Sequence, residues 1–245
     1  MQERYLGDSH DFMKYALLRT LNKELGLSLG INWYLTDPNK VDPIGNNDGE
    51  KRHHLKGGVW KSWDADLFEK IEVLQNPKFR SLDNVSKFDI LPKNTIYYTQ
   101  EVPSVDRAEW HRIGLHKLKH QDVVFLDPDN GFQVKSMTTK RAPKYTLYSE
   151  FADYFRQGQS VLAIQFARQC NPIERAKNTA MLIRKNLNEP CEISILRGRL
   201  APNLLFIMIS QSGSLVKMNN VLKTFCNRSG GKSEMVPNLK MKVII

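Results

Sequence analysis

Asp122-Val123-Val124-Phe125-Leu126-Asp127-Pro128-Asp129-Asn130-Gly131-Phe132 is the stretch whose reading decides the fold. Its first half is a continuous apolar run rich in β-branched and aromatic residues, which predicts a buried strand. Its second half, Pro-Asp-Asn-Gly, is turn chemistry. In open α/β sheets, ligands bind beyond the carboxyl ends of the strands. Asp127 ends the strand, and a catalytic carboxylate would stand there. The turn accounts for residues 128–131 but does not require Asp127.

Outward from this strand the pattern alternates. Upstream, Phe12, Tyr15, Ala16, Leu18, Leu21 and Leu25 recur at helical spacing over 10–25, and Gly26 is a stop. Residues 30–36 read as a short strand, 95–99 as another, and 64–75 and 105–119 as helices. Downstream come a helix at 148–157, a strand at 160–165 and a helix near 173–187. Strands at 192–196 and 204–210 follow, with only a short polar link between them. A helix at 215–227 and a late strand close the chain. Strands alternating with helices indicate an α/β fold built on a parallel sheet. The closing pair adds an antiparallel strand at the end. A mostly parallel sheet with a final antiparallel strand is the topology of Rossmann-like class I methyltransferases, although other doubly wound folds also carry antiparallel edges. With no repeat, linker or low-complexity tract, residues 1–245 read as a single domain. The polar stretch at 37–58 is an elaborated loop, and loops of that length are usually functional or mobile.

The composition fits this reading. At 245 residues with 41% hydrophobic content the chain can bury a core without disulfides. Its Cys170, Cys191 and Cys226 are a scattered, odd set that matches neither a disulfide framework nor a zinc pattern. No apolar run approaches a membrane span, and no apolar segment follows the first residues as in a secretory signal. The expectation is a cytoplasmic protein with no membrane partner. Lys and Arg number 36 against 26 Asp and Glu, a net charge of +10. Such a balance attracts polyanions, so nucleic acid is the expected partner.

Three further constellations carry chemistry. In Gly7-Asp8-Ser9-His10-Asp11-Phe12-Met13-Lys14-Tyr15, Asp8, Asp11, Lys14 and Tyr15 fall three or four residues apart and share a helix face. Asp8 or Ser9 suits a helix cap, but His10 and Lys14 oppose the dipole of a first turn. Gly45-Asn46-Asn47-Asp48-Gly49 with Lys51-Arg52-His53-His54 is glycine-flanked and basic, yet matches no phosphate-binding fingerprint. Arg168, Arg197 and Arg199 could track phosphates or be ordinary surface charges.

These residues together resemble a family. Gly-Asp-x-x-Asp-x-x-Lys-Tyr at 7–15 resembles the Ala-Gly-Asn-x-x-Asp-x-x-Lys-His signature of the bacterial 23S ribosomal RNA adenine-N6 methyltransferases, the large-subunit methyltransferase J family. Leu55-Lys56-Gly57 resembles that family's Tyr-Leu-x-Gly step, Leu126-Asp127-Pro128 the start of its Asp-Pro-Pro-Tyr motif, and Leu196-Arg197-Gly198 its late Leu-Arg-Gly. The chain is also similar to bacterial proteins carrying Gly-Asp-x-x-Asp-x-x-Lys-Tyr and Asp-Pro-Asp-Asn-Gly together. The resemblance implies an enzyme that uses S-adenosylmethionine to modify RNA or DNA. Lys14 and Tyr15 would help hold the cofactor, with Asp8, His10 and Asp11 beside them. Asp127 would accept a hydrogen bond from the target amino group, with Asp129, Asn130 and Lys135 around it, and Phe132, Arg168, Arg197 and Arg199 would meet the substrate. Asp37 stands near the family's acid after the first strand, but no Gly-x-Gly follows it. Asp129 replaces the second proline of the catalytic motif, Asn130 replaces its stacking aromatic, and Phe132 comes two residues late.

Two other classes compete. Asp127, Asp129, Gln133 and Lys135, with Glu150 downstream, resemble the Mg2+ or Mn2+ site of the PD-(D/E)xK nucleases, which implies a nuclease acting in phage defence. Asp127, Asp129 and Gln133 would hold the metal. The third class is a non-catalytic nucleic-acid-binding module on the same scaffold.

Overall fold

The computed structural model describes residues 1–42, 51–188 and 191–237. Asp8 caps the first long helix, α1 (Ser9–Leu25): its carboxylate accepts the Asp11 backbone N–H at 2.9 Å. Gly26 ends α1 in the left-handed region, where a residue without Cβ is unstrained. β1 (Leu29–Asn32) is shorter than the sequence predicts. Asn32 Oδ1 accepts the Tyr34 N–H at 3.1 Å, and Tyr34 at φ 46° turns the chain out of the sheet. The long polar stretch holds a short helix, α2 (Pro38–Val41), and a 3-10 turn at His53–Lys56. Its glycine-flanked segment, 45–49, lies outside the described residues. Then come α3 (Val59–Trp63), α4 (Ala65–Lys70), α5 (Leu82–Lys87), β2 (Ile96–Tyr98), α6 (Arg107–Leu118), β3 (Val123–Leu126), α7 (Tyr148–Arg156), β4 (Ser160–Ala167) and α8 (Pro172–Leu187). β5 (Ile193–Gly198), β6 (Asn203–Ile209), α9 (Leu215–Arg228) and β7 (Ser233–Met235) complete the described chain.

The seven strands form one sheet in the order β2-β1-β3-β4-β6-β5-β7. β2, β1, β3 and β4 are parallel neighbours, as the helices between them require. Only residues 199–202 join β5 to β6, too few for a parallel crossover, so these two strands pair as a hairpin. An antiparallel strand does close the described chain, and the sheet holds a second one inside it. β6 is not at the end of the sheet but lies between β4 and β5, antiparallel to both, and the edge beyond β5 is a further antiparallel strand, β7. Pairing with β4 over seven residue pairs buries both faces of β6, which an edge position would leave half-paired.

Alternation along the strands feeds two cores. Val123, Phe125, Leu162 and Phe206 face α1 and α9, while Val124, Leu126, Ala163 and Ile207 join a second core with Trp110, Phe151 and Ile183. No helix among the described residues is long and apolar enough to cross a membrane.

The turn after β3 has one position that only glycine suits. Gly131 has φ 86°, and a Cβ there would stand 2.8 Å from Gln165 Oε1 and 3.0 Å from the Gln165 Cα. That close approach lets Gln165 Oε1 accept the Phe132 N–H at 2.9 Å, locking the turn against β4.

Candidate functional site

β1 pairs with β2 on one side and β3 on the other, so the strand order reverses between β1 and β3. A crevice forms at such a switch point, beyond the carboxyl ends of the strands. Asp127 is the first residue past β3, and its N–H donates to Asn32 O at 3.0 Å. The amino-terminal turns of α1 face it. Lys14 Nζ sits between two carboxylates, 3.0 Å from Asp11 Oδ1 and 2.9 Å from Asp127 Oδ1, with Asp127 Oδ2 at 3.2 Å. Lys14, Asp11 and Asp127 are 6%, 3% and 1% exposed, so this is a buried ion cluster.

One ammonium serves three carboxylates here. Burial opposes the charge on Lys14, but Asp11 and Asp127, with Asp8 behind them, outweigh it and hold the lysine protonated well above its ordinary range. Burial pushes Asp11 up to about 6, and the neighbouring Asp8 and Asp127 charges push the same way against the pull of Lys14. Burial would raise Asp8 too, but His10, Lys14 and the Asp11 N–H hold it below the usual carboxylate range. His10 donates from Nε2 to Pro202 O at 3.0 Å, and its Nδ1 lies 3.6 Å from Asp8 Oδ2. Its ring meets Phe166 edge-on at 5.5 Å.

These groups line a cleft of about 440 Å³ with Pro128, Asp129, Asn130, Phe166, Lys51, Lys144 and Arg168. Asp129 is engaged at its rim. The Met1 ammonium lies 3.1 Å from Asp129 Oδ1 and donates to Tyr34 O at 2.8 Å, while Thr36 Oγ1 donates to Asp129 Oδ2 at 2.8 Å. The Met1 carbonyl accepts the Thr36 N–H at 2.9 Å.

The structure thus brings Asp8, His10, Asp11, Lys14, Asp127, Asp129, Asn130 and Arg168 to one cleft. The other candidates lie elsewhere. Tyr15 is buried in the first core, its ring edge-on to Trp33. Asp37 caps α2 through the Asn39 N–H. Phe132 is fully buried, stacked on Tyr148 at 4.9 Å, and offers no face to a base. Lys135 is exposed beyond the turn. Arg197 pairs with Asn203 and Glu234, and Arg199 reaches Glu234 at 3.8 Å on a separate groove.

The metal alternative needs Asp127, Asp129 and Gln133 to converge, and they do not. Asp127 pairs with Lys14 and Asp129 with Met1 and Thr36 on the cleft wall, whereas Gln133 is off that lining and its Oε1 accepts the Tyr148 N–H at the start of α7. Glu150 is bound by Arg107. Among the described residues, no three His, Cys, Asp or Glu side chains are grouped to hold a metal ion.

Two further contacts brace the cleft, and the first has no motif to announce it. Lys144 reaches Asp42, 102 residues away, at 2.5 Å. Ser9 Oγ accepts the His54 N–H at 3.1 Å and lies 3.0 Å from His54 Nδ1, clamping the 51–56 segment to the start of α1. The Gln75 amide nitrogen lies 3.4 Å from His54 Nε2, so both ring nitrogens face polar partners inside the fold. Burial pushes His54 down to about 4. The unfolded chain therefore takes up a proton near pH 6.5 that the folded chain refuses until about 4. This contribution is complete above 6.5 and falls as the pH drops through that window, by up to about 3 kcal/mol. Asp11 works in the opposite sense: its raised value favours the folded state as pH falls from 6 toward 3.8. The expected result is that Asp11→Asn loses stability between pH 6.5 and 5 more steeply than the wild type, by about 1 kcal/mol. Adding His54→Gln flattens the slope. Urea unfolding at a series of pH values reads it, and equal slopes in the single and double variants would clear His54 of the effect.

Compared with models of known protein families the chain matches none, and no curated protein matches it.

Proposed function

We propose that the cleft is an S-adenosylmethionine site and that the protein is a nucleic-acid-directed enzyme of methyltransferase-like topology acting on a base amino group. One observation carries this reading: the amino-terminal Asp-x-x-Lys stretch and Asp127, 113 residues apart, meet as a buried ion cluster at the β1–β3 switch point. The antiparallel strand set between β4 and β5 agrees with that topology.

The lining fits such a cofactor in size and charge. A cleft of about 440 Å³ is within the range of small-molecule sites. Its walls carry both signs, as a zwitterionic amino-acid group requires. When bound, the cofactor supplies an electrophilic methyl group.

The chain's own groups do the positioning. Asp127 is fixed by Lys14 and by its backbone bond to Asn32. A carboxylate has about four acceptor sites, and Lys14 engages both oxygens without filling them, so Asp127 still accepts an amino N–H. Pro128, on the same wall, adds a backbone carbonyl as a second acceptor. Asn130 cannot stack a base, and Phe166, one of the aromatic groups on the cleft wall with Tyr5 and His10, lies half-buried beneath the Arg168 guanidinium at 5.0 Å. Orientation of the acceptor and the flat wall supplies the rate, rather than strong base catalysis.

Calorimetric titration of S-adenosylmethionine and S-adenosylhomocysteine tests the reading, with Asp127→Asn and Phe166→Ala as variants. Micromolar binding is expected without added metal. Asp127→Asn should retain cofactor binding but lose methyl transfer to RNA or DNA. No heat from either ligand up to millimolar concentration overturns the proposal.

A further inference from the structure

Beside the cleft opens a second groove of about 410 Å³. Every ionisable side chain on its lining is basic: His53, Lys56, Arg199 and Lys232. Glu234 pairs with Arg197 and Arg199 but is not on that lining. The two sites are continuous along two stretches of chain. Lys51 and Pro202 line the cleft, and His53 and Ala201, on the same stretches, line the groove. The floor is Trp60, whose ring lies 5.7 Å from Lys232 Nζ. At 4% exposure Trp60 offers no face for a base to stack on.

We infer that this groove carries the phosphodiester backbone of a single nucleic acid strand leading to the cleft. The inference rests on the reading of the cleft as a site for a nucleic acid base. The groove presents cations along a path and lacks a stacking platform, so it follows the backbone and does not read sequence. Its contribution is electrostatic, through counterion release, and is equal for RNA and DNA strands of any sequence.

The test is the salt dependence of binding to fluorescent single-stranded RNA and DNA homopolymers, using the full chain. Lys56→Gln/Arg199→Gln/Lys232→Gln is compared with Lys117→Gln/Lys119→Gln/Lys185→Gln. The second set removes the same charge from α6, the residue just after it and α8, on the opposite face of the sheet. Each strand phosphate contact adds about 0.7 to the slope of log affinity against log salt, so the groove variant should lose about 2 units of slope. Its affinity should fall about tenfold or more at moderate salt, with an unchanged melting temperature. The control set should keep the wild-type slope. Equal losses in the two sets, or wild-type binding of heparin with the affinity and slope seen for the oligonucleotides, would overturn the inference. Failure of S-adenosylmethionine to bind, with the groove effect intact, would instead remove the cofactor reading alone.

Discussion

Lys14→Met is expected to destabilise the fold by about 3–5 kcal/mol, among the largest single-residue effects in the molecule. Methionine keeps the volume and the apolar stem, so the loss isolates the ammonium. Removing it leaves Asp11 and Asp127 buried without their cation, and Asp8 without a neighbour that favours its charge. The cost of the desolvated carboxylates, not the worth of the bridge, sets the magnitude. Two consequences separate this from a packing defect. The variant should regain stability on acidification, because Asp11, already raised to about 6 and now without the pull of Lys14, binds a proton in the folded state before the unfolded chain does. Adding Asp11→Asn and Asp127→Asn should restore a large part of the loss, since Asp8, which lies beside His10, is then the one carboxylate of the cluster left charged. Urea unfolding at pH 7 and pH 5 measures both. A loss below about 1 kcal/mol, or no rescue by the triple variant, would mean that the cluster is hydrated.

The cluster marks how far the sequence could be read. The strand at Val123–Leu126, the turn after it and the capped helix at 9–25 follow from local patterns, and each pattern has a local physical cause. The β5–β6 hairpin was legible because its link is too short for anything else. That β6 enters the sheet interior was not legible, since pairing order depends on contacts between distant strands. Side-chain direction was lost in the same way. Phe132 has the residue type of a stacking platform, but its parallel bridge to Thr146 turns it into the second core. Gln133 and Glu150 have the types of metal ligands, and both serve the amino-terminal end of α7 instead. Asp8, Asp11 and Lys14 could be recognised because helical spacing alone puts them on one face. Lys144 and Thr36 could not, because nothing in their neighbourhoods signals partners about a hundred residues away.

Arg107→Met carries the second large expected effect, about 3–5 kcal/mol, and it acts on the cleft from a distance. Arg107 stands at the start of α6 and meets Glu150 in a bidentate pair, Nε to Oε1 at 2.6 Å and Nη2 to Oε2 at 2.9 Å. Tyr34 donates to the same carboxylate at 3.0 Å and the Leu147 N–H at 3.1 Å. The guanidinium also donates to Ala142 O at 2.8 Å and Tyr145 O at 2.5 Å. It therefore ties three segments together: the exit from β1, the chain at 139–147 and the start of α7. That middle segment holds the turn beside Asp127, because Lys144 O accepts the Asn130 N–H at 2.9 Å and Gly131 O accepts the Thr146 N–H at 3.0 Å. Without the guanidinium, Glu150 keeps only neutral donors in a site that is 3% exposed. Glu150→Gln should cost less, since an amide oxygen still accepts a neighbouring donor and the Arg107 guanidinium, which is partly exposed, keeps the Ala142 and Tyr145 carbonyls. The functional consequence follows from the same bonds. Arg107→Met should weaken cofactor binding in the cleft, although Arg107 is not part of its lining, because the turn carrying Pro128, Asp129 and Asn130 loses its brace. Titration at a temperature where the variant stays folded separates the two roles. A lower melting temperature with unchanged affinity would confine Arg107 to stability, whereas a joint loss makes the Arg107–Glu150 pair the element that positions the turn.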